Sequence, residues 1–113
     1  MTYKLEVIIL PVTDVDRALA FYTEKAGFTL DVDYNPIDSF RLAQLTPPGS
    51  SCSVQIGVGL TDAVPGAVRG LYLVVEDIQA ARDDLSNHGV EVSHIRHDPD
   101  GNRWVLQERG FHN

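Results

Sequence analysis

Cysteine is nearly absent from this chain: Cys52 stands alone among 113 residues. One thiol cannot close an intramolecular disulfide or build a cysteine-rich metal centre. No activating base stands near it, so a small, partly buried strand residue is expected there rather than a reactive thiol. Positive charge is scarce too. Nine Lys and Arg residues face sixteen Asp and Glu, for a net charge of −7. A phosphate backbone demands a basic face, so nucleic-acid binding is disfavoured. The acids are scattered, which describes a solvated surface with at most a mild attraction for cationic ligands. No apolar run reaches membrane-spanning length, and residues 1–6 lack the basic-then-apolar order of a signal peptide. No membrane partner is expected, and the cytoplasm is the expected compartment. The glycines form neither a G-x-G-x-x-G nor a P-loop pattern, so nucleotide binding has no support. No Ser/His/Asp arrangement stands out from chance.

What the chain does have is an internal repeat. Val12-Thr13-Asp14-Val15-Asp16-Arg17-Ala18 corresponds to Val75-Glu76-Asp77-Ile78-Gln79-Ala80-Ala81. Apolar runs precede both: Val7-Ile8-Ile9-Leu10 and Leu71-Tyr72-Leu73-Val74. Gly27 follows Asp14 by thirteen residues, Gly89 follows Asp77 by twelve, and Phe28 and Val90 each open a new apolar stretch. The period is too long for a solenoid. Two copies of one strand–helix–strands unit fit better, sharing one compact domain. Hydrophobic residues make up 43% of the chain, enough for a packed core.

Residues 1–57 read as the first unit, 58–69 as a linker with few large side chains, and 70–113 as the second unit. In the first, Leu5–Val12 is β-rich. Thr13 is the candidate N-cap, and Val15, Ala18, Leu19 and Tyr22 recur at helical spacing up to a left-handed cap at Gly27. Phe28 to Tyr34 alternates as a half-exposed strand. Residues 35–38 read as a turn, Phe40–Leu45 and Ser53–Gly57 as strands. The second unit gives a strand over 70–75, a helix over 77–87 ending at Gly89, and a strand over 90–95. The turn Asp98-Pro99-Asp100-Gly101-Asn102 and a closing strand over 103–108 follow, and 109–113 read as a frayed tail. The second unit is shorter and has no counterpart of Phe40–Leu45, so three strands are expected where the first has four. Trp104 and Leu106 should face the helix and pack in the core. His94 and His97 would share a helix face but fall on opposite faces of a strand, so a polar edge is expected there rather than a metal site. His88 sits in the last helical turn, where a cation suits the helix dipole.

The helix ending Phe21-Tyr22, then Gly27-Phe28, Val75-Glu76-Asp77-Ile78 and the 98–102 turn with its apolar strand together resemble the vicinal oxygen chelate superfamily. That group holds glyoxalase I, extradiol dioxygenases, and fosfomycin- and bleomycin-resistance proteins. The resemblance covers nearly the whole chain. It implies an α+β fold of paired βαβββ modules with a cup-shaped sheet, and commonly a homodimer. In metal-dependent members it implies ligands at four positions. Two lie seven residues before the Asp that opens each helix, here Val7 and Gly70; two lie on the closing strands, here Gln55 and Val105. Valine and glycine side chains have no lone pair for a metal, so no metal and no cofactor are expected.

Strand parity from those positions nominates a pocket. Leu5 and Ile9 follow Val7. Tyr72 and Val74 follow Gly70. Arg103 and Gln107 follow Val105, and Ser53 follows Gln55. One of Phe40 and Arg41 must also face in. The ligand-binding set is therefore Val7, Ile9, Phe40, Arg41, Gln55, Tyr72, Arg103, Val105 and Gln107: an apolar floor with polar groups at the rim, as small-molecule sites usually are. The expected function is metal-independent binding of a small molecule, an aromatic drug or metabolite, in a cytoplasmic homodimer. Two alternatives stand beside it: a metal-dependent lyase or dioxygenase, and an interaction module whose cup is filled by dimerisation.

Overall fold

The computed structural model describes residues 1–90 and 95–110. Among the described residues seven strands form two sheets, accompanied by two helices. Strands β1 (Val7–Ile9), β2 (Thr29–Ile37), β3 (Phe40–Thr46) and β4 (Ser53–Val58) make the first, in the order β1-β4-β3-β2. Strands β5 (Leu71–Val75), β6 (Ile95–His97) and β7 (Arg103–Glu108) make the second, in the order β5-β7-β6. Helix α1 spans Val15–Ala20 and runs on into a π-helical turn over Phe21–Lys25; α2 spans Ile78–Asn87.

The repeat in the sequence is a repeat in space. β1 pairs β4 in parallel and β4 pairs β3 antiparallel. Likewise β5 pairs β7 in parallel and β7 pairs β6 antiparallel. Both helices start the same way. Asp14 accepts from the Arg17 amide at 3.0 Å, and Asp77 accepts from the Ala80 amide at 3.0 Å. Each Asp side chain satisfies an amide that the first helical turn would otherwise leave orphaned. Asp14, not Thr13, is thus the first cap; the Thr13 hydroxyl is drawn away to Asp100 at 2.6 Å. Gly27 and Gly89 hold φ of 77° and 83° where the helical segments end, a region that favours glycine.

Other boundaries shift for tertiary reasons. β2 runs through Asn35 and Pro36 to Ile37, so the turn falls at Asp38–Ser39 rather than over 35–38. The Asn35 side-chain amide ties this hairpin end, donating to the Ile37 carbonyl at 3.0 Å and the Phe40 carbonyl at 2.9 Å. β2 is also exposed along its whole length, not half-buried, because it is the outer strand of its sheet. Only Val7–Ile9 of the Leu5–Val12 run joins a ladder. In the second sheet β6 takes the place beside β7 that β3 takes beside β4. Among the described residues the strand without a counterpart is therefore the outer β2, not β3. The strand expected over 90–95 falls mostly outside the described residues; Val90 is buried and the ladder is seen from Ile95. The expected tail begins later than 109, since the Arg109 amide donates to the Val75 carbonyl at 2.7 Å.

The core lies on the helix side of both sheets. Leu10, Ala43, Leu45, Val54 and Ile56 pack with Val15, Ala18 and Tyr22 of the first helix, and Trp104 reaches them from β7. Tyr22, Phe28 and Trp104 form an edge-to-face cluster. A buried polar chain runs through it. The Trp104 indole donates to the Tyr22 hydroxyl at 3.0 Å, and that hydroxyl donates to Asp98 at 2.7 Å. Burial, then the Asp98 charge, push the Tyr22 phenol far above its usual range, so it serves as a fixed donor. Asp98 also accepts the Asp100 and Asn102 amides. The Asn102 side chain donates to the Pro11 carbonyl at 2.9 Å and accepts from the Val68 amide at 3.1 Å. The Asp-Pro-Asp-Gly-Asn turn is thus a clasp between the units.

Arg41 faces this helix side. Its guanidinium grips Asp33 at 2.8 Å and Asp16 at 2.9 Å. The hydrogen bond from Arg41 holds the Asp33 carboxyl below the usual carboxylate range. A carboxyl depressed in the folded chain stabilises it above about pH 4, and that contribution fades as pH falls through the lower folded value. Replacing Arg41 with Met should remove this slope from the acid limb of a pH–stability curve. The effect should be at most about 1 kcal/mol, because water screens the partly exposed pair.

Candidate functional site

Each sheet has a second face, turned away from the helices, and the described residues leave it uncovered. On the first sheet the ladder puts Val7 beside Ser53 and Ile9 beside Gln55. On the second it puts Tyr72 beside Val105 and Val74 beside Gln107. The offsets match: Val7 stands two residues before the partner of Gln55, as Gly70 stands two before the partner of Val105. The two halves therefore carry equivalent positions at equivalent places, which fixes Gln55 as the equivalent of Val105.

Seven of the nominated residues, Val7, Ile9, Gln55, Tyr72, Arg103, Val105 and Gln107, lie on these open faces by strand parity with the half-buried Ile8 and the buried Val54, Trp104 and Leu106. Phe40 joins them, because it pairs with Ile37 and alternates with the core-facing Arg41, Ala43 and Leu45 on β3. Arg41 does not. Its side chain is committed to Asp33 and Asp16 on the opposite face, so of the two alternatives Phe40 faces outward. The open faces are strongly apolar for uncovered surface: Val7 is 38% exposed, Ile9 40%, Tyr72 57% and Val74 59%.

β2 also contributes to the open face, which its sequence alternation does not reveal. Val32 pairs Gln44 and Tyr34 pairs Leu42 on the open face, while Leu30 pairs the buried Leu45. A register shift between Leu30 and Val32 switches the face, so simple alternation along Leu30, Val32 and Tyr34 misleads. Tyr34 stacks edge-to-face on Phe40 at 6.3 Å, widening the aromatic surface. Polar groups punctuate it. The Gln55 amide donates to Gln44 at 3.1 Å, and the Thr46 hydroxyl bridges Asp31 and Ser53.

Two clefts flank the unpaired edge of β5. One of about 440 Å³ lies between Tyr72–Val75, the 47–50 turn, Phe28 and the Ala81–Leu85 face of α2. The other, about 290 Å³, lies between Gly70–Leu73, Leu5, Ile8 and Cys52. Tyr72 lines both, whereas Gln55, Arg103, Val105 and Gln107 line neither. The open faces are broad rather than enclosed in one chain.

The four positions that a metal would need do not fit one. Val7, Gly70 and Val105 offer no donor atom, and Gln55 alone is too few. Among the described residues no three His, Cys, Asp or Glu side chains cluster as a metal site. His94 lies outside the described residues. His88 caps α2, its ring nitrogen 2.7 Å from the Asp84 carbonyl.

The sequence profile of the glyoxalase/bleomycin resistance protein/dioxygenase superfamily matches residues 4–106. The chain belongs to that superfamily. Among solved structures it is similar to TnmS3, an antibiotic binding protein from Streptomyces sp. CB03234. The two share 29% identity over 95% of this chain and 96% of that one, with a TM-score of 0.81. A superfamily member from Sphaerobacter thermophilus gives 26% identity over 96% and 98% of the chains, with a TM-score of 0.81. A glyoxylase-like domain-containing protein of Didymella fabae is 25% identical over 76% of this chain and 68% of its own length. These likenesses establish a glyoxalase-like α+β fold. No helix among the described residues is long and apolar enough to cross a membrane.

Proposed function

We propose that this protein binds a small, flat aromatic molecule on its open sheet faces, without a metal ion, and that two copies close around it in the cytoplasm. The observation that carries the reading is the uncovered apolar surface of Val7, Ile9 and Tyr72 with the half-buried Phe40, set among the polar side chains of Gln55, Arg103 and Gln107. That composition suits a ligand site. The antibiotic-binding role printed for TnmS3 supports the same reading. Val7, Gly70 and Val105 favour binding over metal-assisted catalysis, because a superfamily enzyme would need donors there. The dimer is favoured by the open faces and by the free edge of β2, since exposed edges and large apolar patches tend to be paired or covered.

A thermal-shift screen of aromatic drugs and metabolites, followed by calorimetry on the parent and Tyr72→Ala, tests the binding role. A hit should lose on the order of tenfold or more in affinity on the variant, the scale of a buried aromatic anchor. A hit that binds the variant as tightly as the parent removes Tyr72 from the site. EDTA should leave the melting temperature unchanged; stoichiometric metal in the purified protein would return the enzyme reading. Sedimentation should give about twice the chain mass of 12.5 kDa. A dimer that binds no screened compound would favour the interaction module.

A further inference from the structure

We infer that the ligand of the open face carries an anionic oxygen, a carboxylate or an acidic phenol, beside its aromatic ring, and that Arg103 receives it. This rests on the binding reading above and adds a charge to its ligand. Arg103 opens β7 on the same face as Val105 and Gln107. Its side chain is half-buried, and its Nε is closed off from water with no hydrogen-bond partner. Among the described residues its guanidinium makes no hydrogen bond and no ion pair, although the chain holds sixteen acids. Arg17, Arg41 and Arg109 each find a carboxylate. The two Nη groups, unlike Nε, are not closed off, and without an acceptor in the described chain they are the ones that a bound anion can reach.

The surroundings leave room for that anion. Gly70 precedes Leu71 as Arg103 precedes Trp104, and Leu71 and Trp104 are ladder partners. Gly70 holds φ of +81°, and the place its Cβ would take has nothing within 4 Å. The space at Gly70, next to the start of β7, is thus open, and Tyr72 follows two residues later on β5. A guanidinium receives a carboxylate through two parallel N–H bonds, which a rotating ammonium does not reproduce. Arg82 also has an unpartnered Nε, but it stands on α2 and not on an open sheet face.

Calorimetry on the full chain with three probes of one ring system tests this: 2-naphthoate, neutral 2-naphthamide and the cation 2-naphthylmethylammonium. The naphthoate should bind on the order of tenfold tighter than the amide, the scale of a hydrogen bond to a charged group. That advantage should vanish in Arg103→Gln and be partly kept in Arg103→Lys, and in both variants the naphthoate should lose more affinity than the naphthamide. If the amide or the ammonium binds the parent as tightly as the naphthoate, with Tyr72→Ala weakening all three, the anion inference is overturned and the binding site stands. Equal naphthoate binding by Arg103→Gln and the parent also overturns it. If no probe binds, or Tyr72→Ala weakens none, the site itself is wrong and the inference goes with it. Should Arg103→Gln fail to fold, the ranking on the parent and the Arg103→Lys result decide.

Discussion

Replacing Asn102 with Ala should destabilise the protein by about 3 kcal/mol or more, and lower its melting temperature by on the order of 10 °C. Asn102 has no solvent exposure, and its side chain makes three hydrogen bonds. Truncation leaves the Val68 amide without a partner in a dry site, leaves the Pro11 carbonyl only its longer bond from the Gly66 amide at 3.3 Å, and takes a donor from Asp98. Each buried polar group so orphaned costs about 1–3 kcal/mol, more than the bond itself contributed. The loss falls on the clasp, so the two modules should loosen together. Thermal unfolding followed by Trp104 fluorescence reports it, since the indole lies in the same polar chain. A melting temperature within about 2 °C of the parent, under 1 kcal/mol on that scale, would show that water replaces the lost contacts and that the clasp is dispensable.

Gly66→Ala should cost about 2–5 kcal/mol by a different route. Gly66 holds φ of +81°, and a Cβ there would stand 2.0 Å from the Asp100 carbonyl oxygen. A left-handed backbone costs an alanine about 1–2 kcal/mol, and relieving the overlap by backbone movement adds about 1–3. Gly49→Ala is the control. Its φ is +78° but nothing lies within 4 Å, so only the conformational term applies. Denaturant midpoints of the three proteins separate the two terms. Equal losses for Gly66→Ala and Gly49→Ala would mean that the linker yields easily and does not press on the 98–102 turn.

Both substitutions strike the Asp-Pro-Asp-Gly-Asn turn, which the sequence marks only as a turn. Its polar residues read locally as turn formers, and they are that. Nothing local reveals that Asp98 also anchors Tyr22, or that Asn102 also holds Pro11, partners 76 and 91 residues away in the chain. The candidate site shows the same division. Parity on β1, β5 and β7 carries the open face from Val7 and Gly70 to Arg103 and Gln107, because a strand alternates and the half-buried Ile8, Leu71 and Leu73 and the buried Trp104 and Leu106 fall on the other face. On β2 the alternation fails at the register shift after Leu30, a feature set by pairing with β3. Between Phe40 and Arg41 parity left the choice open, and the Arg41 ion pairs with Asp33 and Asp16 made it.

The sequence by itself determined the two-module plan, the start of the second helix at Asp77, and the lack of metal donors at Val7, Gly70 and Val105, whereas the first cap moved from Thr13 to Asp14. All of these are local: a capping side chain, a seven-residue step and a side chain without lone pairs carry their meaning in a few neighbouring residues. Only the tertiary structure decided which strand of the first module has no counterpart among the described residues of the second, how the 98–102 turn clasps the modules, and that the described residues leave an apolar face of both sheets uncovered. Those depend on which distant groups meet and which remain unpaired, and that balance of burial against unsatisfied polar groups exists only once the chain has folded.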